Sequence, residues 1–156
     1  MINLGQNNIV LEDVNSVINK SQKIEIKEGT RKDISACHTF LKEFASSKLI
    51  YGINTGFGSL CDVKINDEQL EQLQTNLVMS HACGTGDEVP SEIVKLMLLL
   101  KAKGLSYGKS GVQKITVERL ISFYNEDCIP VVYQLGSLGA SGDLAPLAHL
   151  SLPLLG

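Results

Sequence analysis

The feature that most constrains the fold is a run of small residues between two apolar segments near the end of the chain. Residues 136–142 read GSLGASG and include three glycines. The apolar stretch 129–133 (IPVVY) precedes the run, and a second apolar stretch begins at Leu144. Linkers usually continue into polar sequence, whereas core-like segments flank this run. The pattern therefore predicts a tight turn against the interior, at which the backbone itself takes part in chemistry.

Length and charge are those of a single domain with a small-molecule partner. The chain has 156 residues, 14 basic and 17 acidic, for a net charge of −3. No block of like charge is present, so neither a nucleic acid nor a membrane surface is expected as a partner. The four cysteines are scattered, which favours reduced thiols and a cytoplasmic protein. They are Cys37, Cys61, Cys83 and Cys128.

Apolar periodicity is mostly helical along the chain. Helices are predicted over 11–20, from near Thr30, over 65–82, through the apolar stretch 94–103 and over 112–126, and a strand over 23–27. The helix from Thr30 would carry Ile34, Cys37, His38, Leu41 and Phe44 on one side. The helix through 94–103 is expected to be buried on most sides. The sequence thus predicts a mainly α fold with a few short strands.

The last residues, 143–156, read DLAPLAHLSLPLLG. Asp143 is a plausible N-cap, and Pro146 lies in the first turn, where proline is tolerated. The segment is almost wholly apolar, and an exposed helix of that kind is an interaction or aggregation liability. We therefore expect a truncated protein, or one that buries this end against another chain.

A phosphate-binding loop is not indicated. Residues 104–111 (GLSYGKSG) have three residues between the first glycine and Gly-Lys-Ser, where the P-loop needs four. They also follow an apolar helix rather than a strand. A helix-ending turn with a solvated Lys109 is the better interpretation.

Ala-Ser-Gly at 140–142 can form an electrophile when a fold compresses it. The amide nitrogen of Gly142 can approach the carbonyl carbon of Ala140 and close a five-membered ring with loss of water. Loss of the Ser141 hydroxyl as a second water leaves an exocyclic methylidene. A helix beginning at Asp143 would place a positive dipole end nearby and favour negative charge on the ring.

Three motifs carry a resemblance to a known family. Residues 136–149 (GSLGASGDLAPLAH) resemble the signature of the aromatic amino-acid ammonia-lyases, and 51–59 (YGINTGFGS) and 73–86 (LQTNLVMSHACGTG) resemble two further motifs of that family. The resemblance implies a helical, homotetrameric enzyme much longer than this chain. Residues 1–156 would be its N-terminal region, with the later helical core and its substrate-carboxylate arginine absent. Lys101-Ala102-Lys103 stands where relatives usually carry Arg-x-Asn, so this chain keeps one charge and loses an amide behind the implied site.

The resemblance also implies roles for individual residues. Tyr51 would be the catalytic base, on a lid-like loop shaped by Gly52, Gly56 and Gly58. A phenol acts as a base near neutral pH only with help from nearby positive charge or hydrogen-bond donors. Ala140, Ser141 and Gly142 would form a 4-methylidene-imidazole-5-one, supported by Asp143, with no metal and no nucleotide. The alternative for Tyr51 is a structural aromatic beside a glycine turn.

Ser80-His81 bears on the substrate. The pair resembles the histidine-specific members, and an imidazole at His81 can exchange hydrogen bonds with a substrate imidazole. A structural role at a helix end is the alternative for His81, and the expectation for His38 and His149.

The implied reaction is deamination of L-histidine to trans-urocanate and ammonia, with substrate captured through its amine or its ring. A phenylalanine or tyrosine lyase or aminomutase of the same family stays open, as does a non-catalytic structural or association piece. The ring is expected to stay unformed in this chain, because much of the fold that would compress it is missing.

Overall fold

The computed structural model describes every residue except Asn7, Ser21 and Ala140. The described chain runs, in order, through β1 (Ile2–Leu4), α1 (Leu11–Lys20), β2 (Ile24–Ile26), α2 (Glu28–Ser46), a short 3-10 helix (Gly58–Leu60), α3 (Asp67–His81), β3 (Thr85–Glu88), α4 (Ser91–Leu105), α5 (Lys114–Asn125), β4 (Tyr133–Leu135), α6 (Leu144–Ser151) and a closing 3-10 helix (Leu152–Leu154). The predicted class, mainly α with a few short strands, is confirmed.

Two pairs of short strands form small sheets. β1 lies parallel to β2, with Ile2 opposite Ile24 and Leu4 opposite Ile26. The side chain of Asn125 on α5 borders this sheet, since it accepts from the Ile24 amide at 2.8 Å and donates to the Ile24 carbonyl at 2.9 Å. β3 lies antiparallel to β4 with an irregular register. The second pair joins the end of α3 to the start of the small-residue run.

Helix α4 lies at the centre of the hydrophobic core. Leu98, Leu99 and Ala102 are fully buried, and they belong to one cluster with Val117 and Leu120 of α5. The expectation that α4 is buried on most sides is too strong, because Leu100 on the same helix is 57% exposed. One face of α4 is covered by α5 and α1, and the other remains at the surface.

Helix α6 is less exposed than the sequence suggested. Ala145, Ala148 and Leu150 are buried, because one face of the helix packs against the rest of the domain. Asp143 occupies the N-cap position as predicted, yet its side chain makes no capping hydrogen bond. Leu144 remains 55% exposed at the start of the helix. None of the described helices is long and apolar enough to cross a membrane.

Candidate active site

Tyr51 lies on the loop between α2 and α3. Its side chain is 62% exposed. Its ring meets the Phe57 ring edge-on, with centroids 5.8 Å apart and an interplanar angle of 75°. Gly52 has a φ of +75°, and a Cβ there would lie 3.6 Å from Cε1 of Phe57. The loop therefore turns tightly enough for the two aromatic rings to touch.

The other two predicted glycines serve the same loop in different ways. Gly58 has a φ of +57°, a left-handed conformation that side chains other than glycine rarely adopt. Gly56 lies against the 3-10 helix, because an added Cβ would stand 2.7 Å from the Leu60 carbonyl oxygen. Both positions thus need glycine for the observed backbone.

Asn54 organises this loop and was missed by sequence reasoning. The residue is 7% exposed. Its amide nitrogen donates to the carbonyls of Ala45 and Lys48, each at 2.8 Å, and its oxygen accepts from the Ile50 amide at 2.8 Å. Asparagine beside glycines is typical of turns, but the pattern does not show which backbone groups it contacts. Asn54 ties the Tyr51 loop to the end of α2.

His81 is the last residue of α3, and its ring is oriented by the helix itself. Nδ1 lies 2.8 Å from the Leu77 carbonyl oxygen. A carbonyl only accepts, so Nδ1 carries the proton and Nε2 of the neutral ring is left as an acceptor. The Ser80 hydroxyl donates to the same carbonyl at 2.9 Å and lies 3.2 Å from His81 Nδ1. Ser80 and His81 thus form a small polar group at the end of the helix.

Ser141 and Gly142 lie at the surface just before α6. Gly142 has a φ of +72°, and an added Cβ would meet nothing within 4 Å. A positive φ of this kind is one that glycine adopts readily, so Gly142 permits a turn at this point of the chain. Ala140, the third predicted member, lies outside the described residues.

Gly84, Gly136, Ala145 and His149 form a close contact that we call the glycine junction. The Gly84 amide donates to Nε2 of His149 at 2.9 Å. A Cβ on Gly136 would lie 2.7 Å from the Cα of Gly84 and 3.2 Å from the Cβ of Ala145. His149 is 8% exposed. The junction joins the residues after His81 to both flanks of the 137–143 segment.

The described chain brings some of the predicted site residues together and leaves others apart. The glycine junction links the end of α3, with Ser80 and His81, to the segment that contains Ser141. Tyr51 is on a separate loop, and the hydrogen bonds and ring contacts among the described residues do not join it to His81 or Ser141. Within those same residues, no group of three or more His, Cys, Asp or Glu side chains could hold a metal ion.

Comparison with known sequences finds a family match over nearly the whole chain. The model of the aromatic amino acid lyases matches residues 9–156. Histidine ammonia-lyase of Geobacillus thermodenitrificans is 51% identical over 133 residues, which are 85% of this chain and 26% of that protein. That of Deinococcus radiodurans is 47% identical over 147 residues, 94% of this chain and 28% of that protein. The chain thus spans less than a third of these relatives.

Solved structures share the fold over almost all of the chain. Ergothionase of Treponema denticola superposes with a TM-score of 0.92 at 26% identity, over 99% of this chain and 31% of its own. Tyrosine aminomutase of Streptomyces globisporus gives 0.90 at 26% identity, over 99% and 29%. Histidine ammonia-lyase of Trypanosoma cruzi gives 0.83 at 30% identity, over 99% and 29%.

Proposed function

This chain belongs to the aromatic amino acid lyase family, and we propose that it forms the N-terminal region of an enzyme that converts L-histidine to trans-urocanate and ammonia. Relatives named histidine ammonia-lyase are 51% and 47% identical to it. The tyrosine aminomutase structure is 26% identical. This difference favours histidine over tyrosine as the substrate.

The orientation of His81 carries the proposal. Its Nδ1–H is held by the Leu77 carbonyl at 2.8 Å, so Nε2 remains to accept a hydrogen bond. The N–H of a substrate imidazole is a matching donor, whereas a phenyl ring offers none. A site that uses a polar partner discriminates strongly against substrates that leave that partner unpaired.

We assign the remaining chemistry to Tyr51 and to residues 140–142. When formed, a methylidene-imidazolone at 140–142 supplies the electrophile that captures the substrate. Tyr51 removes the substrate β-proton, which makes it the general base. Asp143 stands at the N-cap of α6, where the positive end of the helix dipole favours nearby negative charge. A homotetramer and the absence of metal and nucleotide are expectations that rest on the family resemblance, and cytoplasmic location is an expectation that rests on the scattered cysteines.

A second candidate applies to the 156-residue chain by itself: a non-catalytic piece that acts in structure or association. The exposure of Tyr51, 62%, favours it, because a general base has to be held against its substrate within a site. The chain also spans 26% and 28% of the two histidine ammonia-lyases compared above. In this case, residues outside this 156-residue sequence would complete the site.

Substrate choice is tested in a full-length enzyme that carries this sequence. His81→Leu should lower kcat/KM for histidine by about a hundredfold, because the pocket loses its hydrogen-bond partner. His38→Leu is the matched control, since His38 contacts the Gly111 carbonyl at 2.8 Å on another part of the fold. The assay follows urocanate absorbance. Turnover of phenylalanine or tyrosine in place of histidine by the unsubstituted enzyme would contradict the proposal.

The second candidate is tested by intact mass of the 156-residue chain. Ring formation removes two waters, about 36 Da. We expect the isolated chain to keep the unmodified mass and to produce no urocanate from histidine. A loss of about 36 Da, or clear turnover, would show that these residues suffice.

A further inference from the structure

We infer that His149 is a positioning residue that sets the place of the 140–142 segment relative to His81, an inference that rests on the proposed function. His149 lies on α6, 65 residues from its hydrogen-bond partner Gly84. Gly84 follows His81 by three residues, and His149 follows Ser141 by eight. One hydrogen bond therefore connects the two segments that would bind and attack the substrate.

The hydrogen bond from Gly84 determines which nitrogen of the neutral His149 ring carries the proton. The Gly84 amide can only donate, so Nε2 of His149 must be the unprotonated nitrogen, and Nδ1 carries the proton. The Tyr133 ring packs edge-on against the imidazole, with centroids 5.3 Å apart and an interplanar angle of 75°. Tyr133 belongs to β4, so the strand that leads into the small-residue run also contacts the His149 ring.

The residues of the glycine junction are so closely packed that no side chain fits on either glycine. A Cβ on Gly84 would stand 2.9 Å from Nε2 of His149 and 3.1 Å from the Cβ of Tyr133. A Cβ on Gly136 would stand 2.7 Å from the Cα of Gly84. Gly136 precedes residues 140–142 and Ala145 follows them, so residues on both flanks of the segment lie against Gly84 or against each other. A shift at Gly84 would move those flanks relative to the end of α3.

His149 acts through the backbone in this arrangement. The His81 ring contacts the Leu77 carbonyl on its own helix, so we expect this contact and binding of the substrate ring to persist when His149 is changed. The distance between the bound substrate and the electrophile should change instead. Displacement of about 1 Å in an active site can lower a rate by about a hundredfold. Loss of His149 should thus affect kcat more than KM.

The experiment compares three variants in a full-length enzyme that carries this sequence. His149→Phe keeps a ring beside Tyr133 and removes the acceptor, whereas His149→Gln retains an acceptor oxygen at the end of the side chain. His38→Phe is the control. Intact mass gives the fraction of subunits with the ring, and kcat is expressed per ring-bearing subunit. We expect His149→Phe to lower that kcat by at least about tenfold and to change KM by no more than about threefold. His149→Gln should restore most of the kcat. His38→Phe should leave the kcat unchanged.

A second pair of variants tests the junction from the opposite side and does not depend on replacing a buried ring. Gly84→Ala places a methyl group against Nε2 of His149, and Gly104→Ala places one where nothing lies within 4 Å. We expect Gly84→Ala to lower kcat per ring-bearing subunit as His149→Phe does, and Gly104→Ala to leave it unchanged. If His149→Phe and Gly84→Ala lower the melting temperature but keep the unsubstituted kcat per ring-bearing subunit, His149 has only a structural role and the inference is wrong.

Hydrogen exchange of the Gly84 amide separates this inference from the proposed function. In the unsubstituted protein and in His149→Gln the amide should be protected, and in His149→Phe it should exchange at least about tenfold faster. Equal exchange in His149→Phe would overturn the contact whatever the substrate is. An enzyme that shows the protection pattern but does not deaminate histidine contradicts the proposed function instead.

Discussion

At the scale of single residues, the Asn54 side chain holds the loop that carries Tyr51 against the end of α2. The motif predicts Tyr51 and the glycines of its loop; the structure shows a positive φ or close contacts at those glycines, and the role of Tyr51 stays a prediction. Asn54 was missed, because its three hydrogen bonds go to the backbone of residues 45–50. A motif shows which residue types occur, but such backbone partners depend on how α2 ends.

Replacing Asn54 tests its role in shaping the loop. Asn54→Ala leaves two carbonyls and one amide without their partner, so we expect the free energy of unfolding to fall by about 2–3 kcal/mol. Proteolytic cleavage between residues 47 and 58 should also become faster. The matched control is Asn76→Ala, since Asn76 is exposed and accepts a hydrogen bond from Gln72. Urea unfolding and timed proteolysis measure both effects, and equal values for the two variants would contradict this role.

Tyr124 gives a prediction for alkaline pH. Burial, with a smaller contribution from the charge of Asp127, raises the pKa of Tyr124 to about 12 from its ordinary value of 10.0. The fold thus favours the neutral phenol, which donates to the Gln22 carbonyl at 2.9 Å. Because the folded pKa is the higher one, the stabilisation is complete below pH 10.0 and is lost as pH rises towards about 12.

Tyr124→Phe should remove that part of the pH dependence. At neutral pH it loses one hydrogen bond, about 1 kcal/mol. Between pH 10 and about 12, the unsubstituted chain should lose on the order of 2 kcal/mol more than the variant does. Tyr51→Phe is the control, because Tyr51 is 62% exposed. The urea midpoint of each protein is measured across this pH range. If the midpoints of Tyr124→Phe and the unsubstituted chain fall in parallel as pH rises, the prediction is wrong.

At the scale of elements, local patterns predicted the helices far better than the strands. The predicted span 11–20 coincides with α1, and α2 begins at Glu28, close to the expected start at Thr30. Only β2 was predicted, and β1, β3 and β4 were not. β1 is three residues long, and its partner β2 begins 22 positions later, while all four residues of β3 are exposed and lack an apolar alternation. Such strands depend on partners that periodicity does not identify.

Lys103 on α4 connects that helix to the first strand. Lys101-Ala102-Lys103 is the segment that departs from the Arg-x-Asn usual in the family. In the structure the Lys103 ammonium donates to the Gly5 carbonyl and lies 4.1 Å above the centroid of the Tyr107 ring. The residue is 6% exposed. Lys103 therefore anchors the end of β1 against the core.

Lys103→Met should loosen this anchor while it keeps an unbranched apolar stem. Because the Gly5 carbonyl loses its donor, we expect a loss of about 1–3 kcal/mol in the free energy of unfolding. Exchange of the Ile2 amide, which donates to the Lys23 carbonyl, should become faster. Lys101→Met, at an exposed position of the same helix, is the control. Equal stability and exchange in the two variants would show that the contact does not hold β1.

The molecule as a whole leaves apolar side chains exposed around the proposed electrophile. Leu135, Leu138 and Leu144 are exposed, and all three lie within five residues of Ala140 in the sequence. Helix α2 also leaves apolar side chains at the surface, since Phe40 and Phe44 are 63% and 41% exposed. The predicted apolar side of α2 is thus only partly covered, with Ile34 as its buried member. The amphipathic pattern indicates that such faces are covered, but it does not identify what covers them.

Exposed apolar surface of this extent favours association, so the 156-residue chain should self-associate as its concentration rises. Leu138→Lys combined with Leu144→Lys should lower the association constant by at least about tenfold, because charge replaces apolar surface beside the 140–142 segment. Gln72→Lys with Asn76→Lys adds the same charge at exposed positions of α3 and serves as the control. Sedimentation equilibrium over a hundredfold range of concentration, about 1–100 μM, measures the constants. A monomer at every concentration, or equal constants for the two double variants, would mean that the leucines around the electrophile segment do not drive association.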